Sequence, residues 1–303
     1  MSSAPEMIAS AARGGARRIE AAVLLELTKP RLAAMVLVTT AAGFYLGARG
    51  AVELPVLLAT MIGTALAGAG SLVLNQYLER DLDALMQRTA SRPIPSGRIE
   101  AADALVFGAL LTVLGLGLLS LAVNPMAGFI TALTVLFYLA IYTPLKLRTP
   151  YCTIAGAVPG ALPPLTGWVA ASGSIGPGAW AIFAIMFLWQ LPHSLAIARL
   201  YEEDYARAGF KLLPVVDPDG RSTERQILIH SAALLVVGLV PTLLGIAGAA
   251  YFAVALVLGS SLLCFSASVA LRPSKDSVRR LLFATLVYLP VLFGAMALDK
   301  VAL

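Results

Sequence analysis

Apolar residues in this chain fall in long runs with few polar interruptions, and nine of these runs reach the roughly 17–25 residues that a helix needs to cross a bilayer. They are Leu32–Ala48, Val56–Leu74, Ala102–Val123, Met126–Thr143, Tyr151–Ala171, Gly178–Leu200, Ile227–Ala247, Ala249–Leu271 and Leu281–Leu298. None shows the short apolar/polar alternation of a barrel strand. The pattern predicts an all-α, polytopic membrane protein with nine transmembrane helices, an N-terminal tail over residues 1–30 and a membrane domain over 31–303. A surface helix is expected in the tail, from about Arg18 to Thr28.

Composition agrees: 59% of residues are hydrophobic and 13% are charged, against about a quarter charged in soluble domains. The net charge of +5 raises nucleic acid as a partner, but the basic residues sit in short loops between spans, and the lipid bilayer explains them instead. Of the 22 Lys and Arg residues, 20 fall on the N-terminal side of the membrane, leaving only Arg49 and Lys300 opposite. The positive-inside rule then predicts a cytoplasmic N-terminus and a C-terminus across the membrane. The N-terminus has no compact apolar core followed by a cleavage site, so no signal peptide is expected. Cys152 and Cys264 suit packing; their spacing suggests neither a disulfide framework nor zinc.

Charge patterning also marks one face for function. Asn75 to Arg98, NQYLERDLDALMQRTASRPIPSGR, packs three acids and four arginines directly after the second run. If the helix continues, Asn75, Glu79 and Asp83 share one face while Asp81 points away. A second cluster, Glu202, Glu203 and Asp204, follows the sixth run. This spacing suggests two repeats of four helices plus a last helix around a central cavity open to the cytoplasmic side. Carboxylates with an amide oxygen, without thiolate, suit Mg²⁺ completed by a substrate's phosphate oxygens. Arg88, Arg92, Lys146, Arg148 and Lys211 are the candidate phosphate clamps. Singly, each reads as a solvated loop residue, as would an i,i+4 pair of Arg199 with Glu203; their joint occurrence on one side favours a site.

The fifth run carries Pro159, Pro163, Pro164, Gly156, Gly160 and Gly167. Prolines free backbone carbonyls that only protein or water can satisfy, so this helix either lines a cavity or packs closely through small residues. His193 is an ionisable group inside the sixth run. It stands to contact a ligand, coordinate iron, move a proton, or support the cavity wall as a buried histidine. Asp204, eleven residues on, would share its face if the helix extends that far. His230 is expected at the interface.

NQYLERDLDALMQRTASRP, LTKPR, YTPLKLRTPY and WQLPHSLAIARLYEEDY together resemble the UbiA superfamily of intramembrane prenyltransferases, from Leu27 to the last span. LTKPR with WQLPH and EDY points to its haem branch. Two departures stand out: Glu79 is the middle acid where the superfamily's NxxxDxxxD has aspartate, and Tyr201–Tyr205 has tyrosine at both ends where many members have DxxxD. The resemblance implies transfer of farnesyl from farnesyl diphosphate to a vinyl group of haem B, with addition of water. Asn75, Glu79, Asp83 and Asp204, or Glu203 in its place, would hold Mg²⁺. Arg88, Arg92, Lys146 and Arg148 would neutralise diphosphate, and Tyr77, Tyr142 or Trp189 would face an allylic cation. A downstream haem-modifying enzyme is the implied partner for the product. Prenylation of a quinone or chlorophyll precursor, and secondary transport, are the competing readings.

Overall fold

The computed structural model describes residues 20–301; of the surface helix expected from about Arg18 to Thr28, Arg18 and Ile19 lie outside the described residues and the rest forms the first helix. Within them the chain runs α1 (Ala21–Leu27), α2 (Pro30–Gly47), α3 (Leu54–Leu78), α4 (Arg80–Asp83), α5 (Ala101–Leu118), α6 (Pro125–Leu136), α7 (Cys152–Ser172), α8 (Pro177–Leu200), α9 (Glu202–Arg207), α10 (Leu213–Val216), α11 (Arg221–Leu243), α12 (Ala249–Leu271) and α13 (Lys275–Leu298). Nine of these, α2, α3, α5 to α8 and α11 to α13, are long and apolar enough to cross a membrane, α5 and α6 being prolonged by wider π-type turns. The predicted spans all form. Two start earlier than expected: α11 begins at Arg221 and α13 at Lys275, because charged first turns extend the helices past the hydrocarbon.

Helix ends follow local chemistry. Proline, whose missing N–H costs nothing in a first turn, opens α2, α6 and α8. Asn124 accepts the Ala127 N–H at 2.8 Å to cap α6, and Ser274 caps α13 reciprocally with Ser277. Leucines and valines such as Leu110, Val113, Val236 and Leu298 stay exposed on the outside of the bundle, where lipid replaces a protein core.

The bundle closes through α2 and α7, which pack side by side, while α3 packs on α5 and α8 on α7, α11 and α13. The main core, with Ile182, Ile185, Trp168, Tyr251 and Tyr288, lies among α7, α8 and α11 to α13. At the end of the bundle away from the acid clusters, Lys300 Nζ donates to the carbonyls of Tyr45 at 2.6 Å and Ala48 at 2.7 Å. The one lysine on that side thus caps the C-terminus of the first span. At the opposite end α1 lies across α3, with Val23 and Leu27 packed on Val73, Ile94 and Ile99 and Gln76 Nε2 donating to the Leu27 carbonyl at 2.6 Å.

Candidate active site

The three-residue acid face survives a break in the helix that carries it. Helix α3 ends at Leu78, Glu79 departs from helical geometry with φ −97°, and the chain restarts as α4. Because a backbone bond from Asp83 N to Glu79 O continues the turn, Asn75, Glu79 and Asp83 remain on one side and are all buried. Asp81 points outward with its side chain 87% exposed.

Each member of the face is held by a partner. Asn75 Nδ2 donates to Thr143 Oγ1 at 3.0 Å, and Thr143 donates in turn to the Tyr138 carbonyl, five residues back. The π-type turn over Phe137–Tyr142 brings Thr143 onto that carbonyl, which accepts both its backbone N–H and its hydroxyl. The amide is thereby oriented with Oδ1 unpartnered among the described residues and Asn75 on the cavity wall. Lys146 Nζ meets Glu79 Oε1 at 2.6 Å and sits over the rings of Tyr142 and Phe210 at 4.6 and 5.5 Å. Burial works against the Lys146 ammonium, but Glu79 keeps it above the ordinary lysine range. Arg92 Nη1 reaches both oxygens of Asp83 at 2.6 Å. Arg88 lies 5.4 Å over the Tyr201 ring and 5.8 Å over that of Tyr205.

These residues line a cavity of about 440 Å³ that runs from the charged cluster past Ser71, Thr64 and Val36 and past α7, which stays one continuous helix despite its three prolines. Gly156, Pro159, Gly160 and Pro163 of α7 form part of its wall, whereas Gly167 packs on α2, so the small residues of the fifth span do both things expected of them. Gln190 fills the space beside Gly160 and donates to the Ala157 carbonyl. His193 faces the cavity from α8.

Lys29 joins the cluster without having been singled out from the spacing. It separates α1 from α2 with φ 48° and ψ 64°, the one non-glycine residue in the left-handed region among those described. Such a conformation costs about 1–3 kcal/mol and tends to persist at functional sites. Its ammonium lines the cavity and has no hydrogen bond or ion pair to any described residue. Burial, with Arg92 adding to it, pushes Lys29 down to about 7, while Asp83 and Glu79 oppose the shift. The signal was the LTKPR motif, which gives no hint of backbone geometry.

Four predicted site residues are placed elsewhere. Arg148 and Lys211 are exposed and outside the cavity lining, though the Lys211 N–H donates to the Lys146 carbonyl at 2.6 Å and so helps place Lys146. Glu203 is exposed. Asp204 does not share the His193 face, because α8 ends at Leu200 and Tyr201 turns the chain. Its carboxylate pairs with Arg207 and accepts the Gln87 N–H at 3.4 Å; although desolvation opposes it, the Arg207 contact holds the carboxyl below the usual range. Arg199 pairs with Glu202 at 2.8 Å, not with Glu203, because the helix break puts Glu202 nearer. Of the expected aromatics only Tyr142 lines the cavity, accompanied by Tyr138. Tyr77 packs beneath α1, and Trp189 is buried behind His193. His230 is half-buried and bonds the Gln226 carbonyl. Among the described residues no three acids, histidines or cysteines converge as a preformed metal cage. The oxygen donors of Asn75, Glu79 and Asp83 still suit a hard cation whose remaining ligands come from substrate.

The pattern of the UbiA prenyltransferase family matches residues 36–289. The chain belongs to this family. UbiA relatives include the protoheme IX farnesyltransferase of Solibacter usitatus, 46% identical over 91% of this chain and 98% of that one. The protoheme IX farnesyltransferase of Koribacter versatilis is 43% identical over 91% and 92%. The fold is similar to that of a digeranylgeranylglyceryl phosphate synthase, with a TM-score of 0.79 at 19% identity over 93% of this chain and 98% of that one. It also resembles a UbiA homologue from Archaeoglobus fulgidus bound to GPP and Mg²⁺, with a TM-score of 0.63 at 15% identity over 90% and 99%.

Proposed function

We propose that this protein transfers a farnesyl group from farnesyl diphosphate to a vinyl group of haem B, with addition of water, to give haem O and diphosphate. The observation that carries this reading is a single cavity joining a buried cluster of paired acids and bases to an interior wall presenting His193. Relatives named protoheme IX farnesyltransferase, alike over nine-tenths of the chain, supply the acceptor.

In this reading Arg88, Arg92, Lys146 and Lys29 receive the diphosphate, Arg92 and Lys146 already held in place by Asp83 and Glu79. Mg²⁺, bound through Asn75, Glu79 and Asp83, would draw charge from the leaving diphosphate. The C1–O bond breaks with its electron pair on diphosphate, leaving an allylic cation whose charge the cavity-lining Tyr138 and Tyr142 would stabilise. The vinyl π electrons form the new C–C bond, and the porphyrin-side cation takes water and loses a proton. The apolar stretch of the cavity wall protects the first cation from water until that step. Arg148, Lys211 and Glu203 take no direct part; Asp204 positions the loop carrying Arg88 through Gln87. The Lys and Arg distribution supports a working face on the cytoplasmic side and the bacterial relatives support a plasma (inner) membrane location, with the product passing to a haem-modifying enzyme.

Purified protein given haem B, farnesyl diphosphate and Mg²⁺ is expected to yield haem O by mass spectrometry. No haem O, with prenylation of a quinone precursor instead, would overturn the assignment. Lys29 supplies a second check. Only its charged form attracts diphosphate, so affinity for farnesyl diphosphate should fall as pH rises above about 7, by up to roughly tenfold per unit. In Lys29→Arg the decline should flatten, and in Lys29→Met affinity should be lowered at pH 6.5 and flat above it. Titrations comparing the three proteins remove the diphosphate's own ionisation; equal slopes in all three would take Lys29 out of the site.

A further inference from the structure

His193 is held more tightly than a wall residue requires. Its Nδ1 lies 2.9 Å from Thr285 Oγ1 of α13. That hydroxyl already donates to the Leu282 carbonyl at 2.6 Å, so toward histidine it has only lone pairs to offer. Nδ1 must therefore carry the proton, and Nε2 carries the lone pair. Rotation of the ring is blocked as well: Trp189 stacks on it with centroids 4.8 Å apart and planes at 17°, and Trp189 Nε1 is itself tied to the Thr285 carbonyl at 2.8 Å. One residue of α13 thus fixes both rings. Nε2 has no partner among the described residues and belongs to a side chain on the cavity wall.

We propose that His193 Nε2 is an axial ligand to the iron of the haem substrate, and that Thr285 is the positioning residue that sets its tautomer. A neutral imidazole that donates one N–H to an outer partner and offers the other nitrogen inward is the arrangement seen at metal-bound histidines. Depth agrees with this use. His193 stands seven residues before the end of α8, about 10 Å below the cytoplasmic end. The diphosphate residues gather at that end, so iron held by His193 would leave the porphyrin edge toward the cluster. No bond is made or broken in the porphyrin by this contact; it anchors the acceptor. The inference rests on the haem acceptor proposed above.

The test uses the full-length protein in lipid nanodiscs, with reduced haem B and metal-free protoporphyrin IX as probes. Wild type should show an iron–histidine stretching band by resonance Raman. His193→Ala should lose that band, bind haem B at least tenfold more weakly and bind metal-free porphyrin as wild type does; added imidazole should restore the band. Thr285→Val, which keeps the histidine but removes its acceptor, should shift the band to lower frequency and weaken haem B binding about 10- to 100-fold, the usual effect of losing such an outer partner. Thr285→Ser should restore both. A band retained in His193→Ala, or equal loss of haem and metal-free porphyrin, would overturn the proposal. Should His193→Ala fail to fold, an unshifted band in Thr285→Val would overturn it alone. Haem O made by a wild type that lacks the band refutes only this inference, whereas a wild type that neither binds haem nor makes haem O refutes the function as well.

Discussion

Asp83→Asn is expected to abolish prenyl transfer while leaving a folded protein. Asp83 is fully buried and both its oxygens are taken by Arg92, so the substitution keeps the shape and removes the charge at the centre of the cluster. Two consequences add. Arg92 loses the anion that aims it, and the oxygen set of Asn75, Glu79 and Asp83 loses a formal charge needed to hold a hard cation. Removing one preorganised electrostatic partner typically costs about 10²–10³ in turnover, and the loss of metal-derived polarisation adds several kcal/mol. Turnover per folded molecule, measured across a Mg²⁺ titration, should drop by at least a thousandfold. Activity retained with an unchanged Mg²⁺ dependence would remove Asp83 from the site. Folding should survive because Arg92 is partly exposed and can rehydrate.

Gly167→Ala is expected to prevent accumulation of folded protein, for a reason unrelated to catalysis. A Cβ at this position would stand 1.9 Å from the Thr40 carbonyl oxygen and 2.8 Å from Phe44 N. Gly43 is in the converse position, its Cβ 1.9 Å from the Pro164 carbonyl oxygen. Helices α2 and α7 therefore touch backbone to backbone, and no flexible side chain is present to yield. Overpacking costs about 1–3 kcal/mol where side chains can adjust, and more is expected here. The yield of monodisperse protein and its thermal midpoint should both fall sharply. Gly117→Ala, with nothing within 4 Å of its new Cβ, serves as the neutral control. A Gly167→Ala protein with the wild-type midpoint would show that the two helices can separate freely.

The spans and the acid face were legible because each follows from a period or a run. Nine apolar stretches gave nine helices, and spacing by four survived the break at Glu79, since Arg80–Asp83 resumes the same turn. The rest lies where the period itself stops. Asp204 would share the His193 face only if the helix ran on past Leu200, and Tyr201 ends that count. Arg148 and Lys211 lie in connections whose direction no spacing encodes, so nearness in sequence to Lys146 or to the second acid cluster said nothing of where their side chains went. Lys29 was visible only as part of a motif. Its role depends on a left-handed backbone angle that lysine rarely adopts, and on two neighbours, Arg92 and Lys146, that find acids while it does not.

The Lys300 clasp bears on how this protein comes to be assembled. Its ammonium satisfies carbonyls at the end of the first span, yet it follows the ninth, so the contact joins segments that enter the membrane at opposite ends of synthesis. Until the ninth span is inserted, the carbonyls of Tyr45 and Ala48 lack this partner and the neighbouring helices are free to rearrange. That latch is therefore the last tie to the first span, added after the cavity-lining segments, which end at Leu212, have already been made.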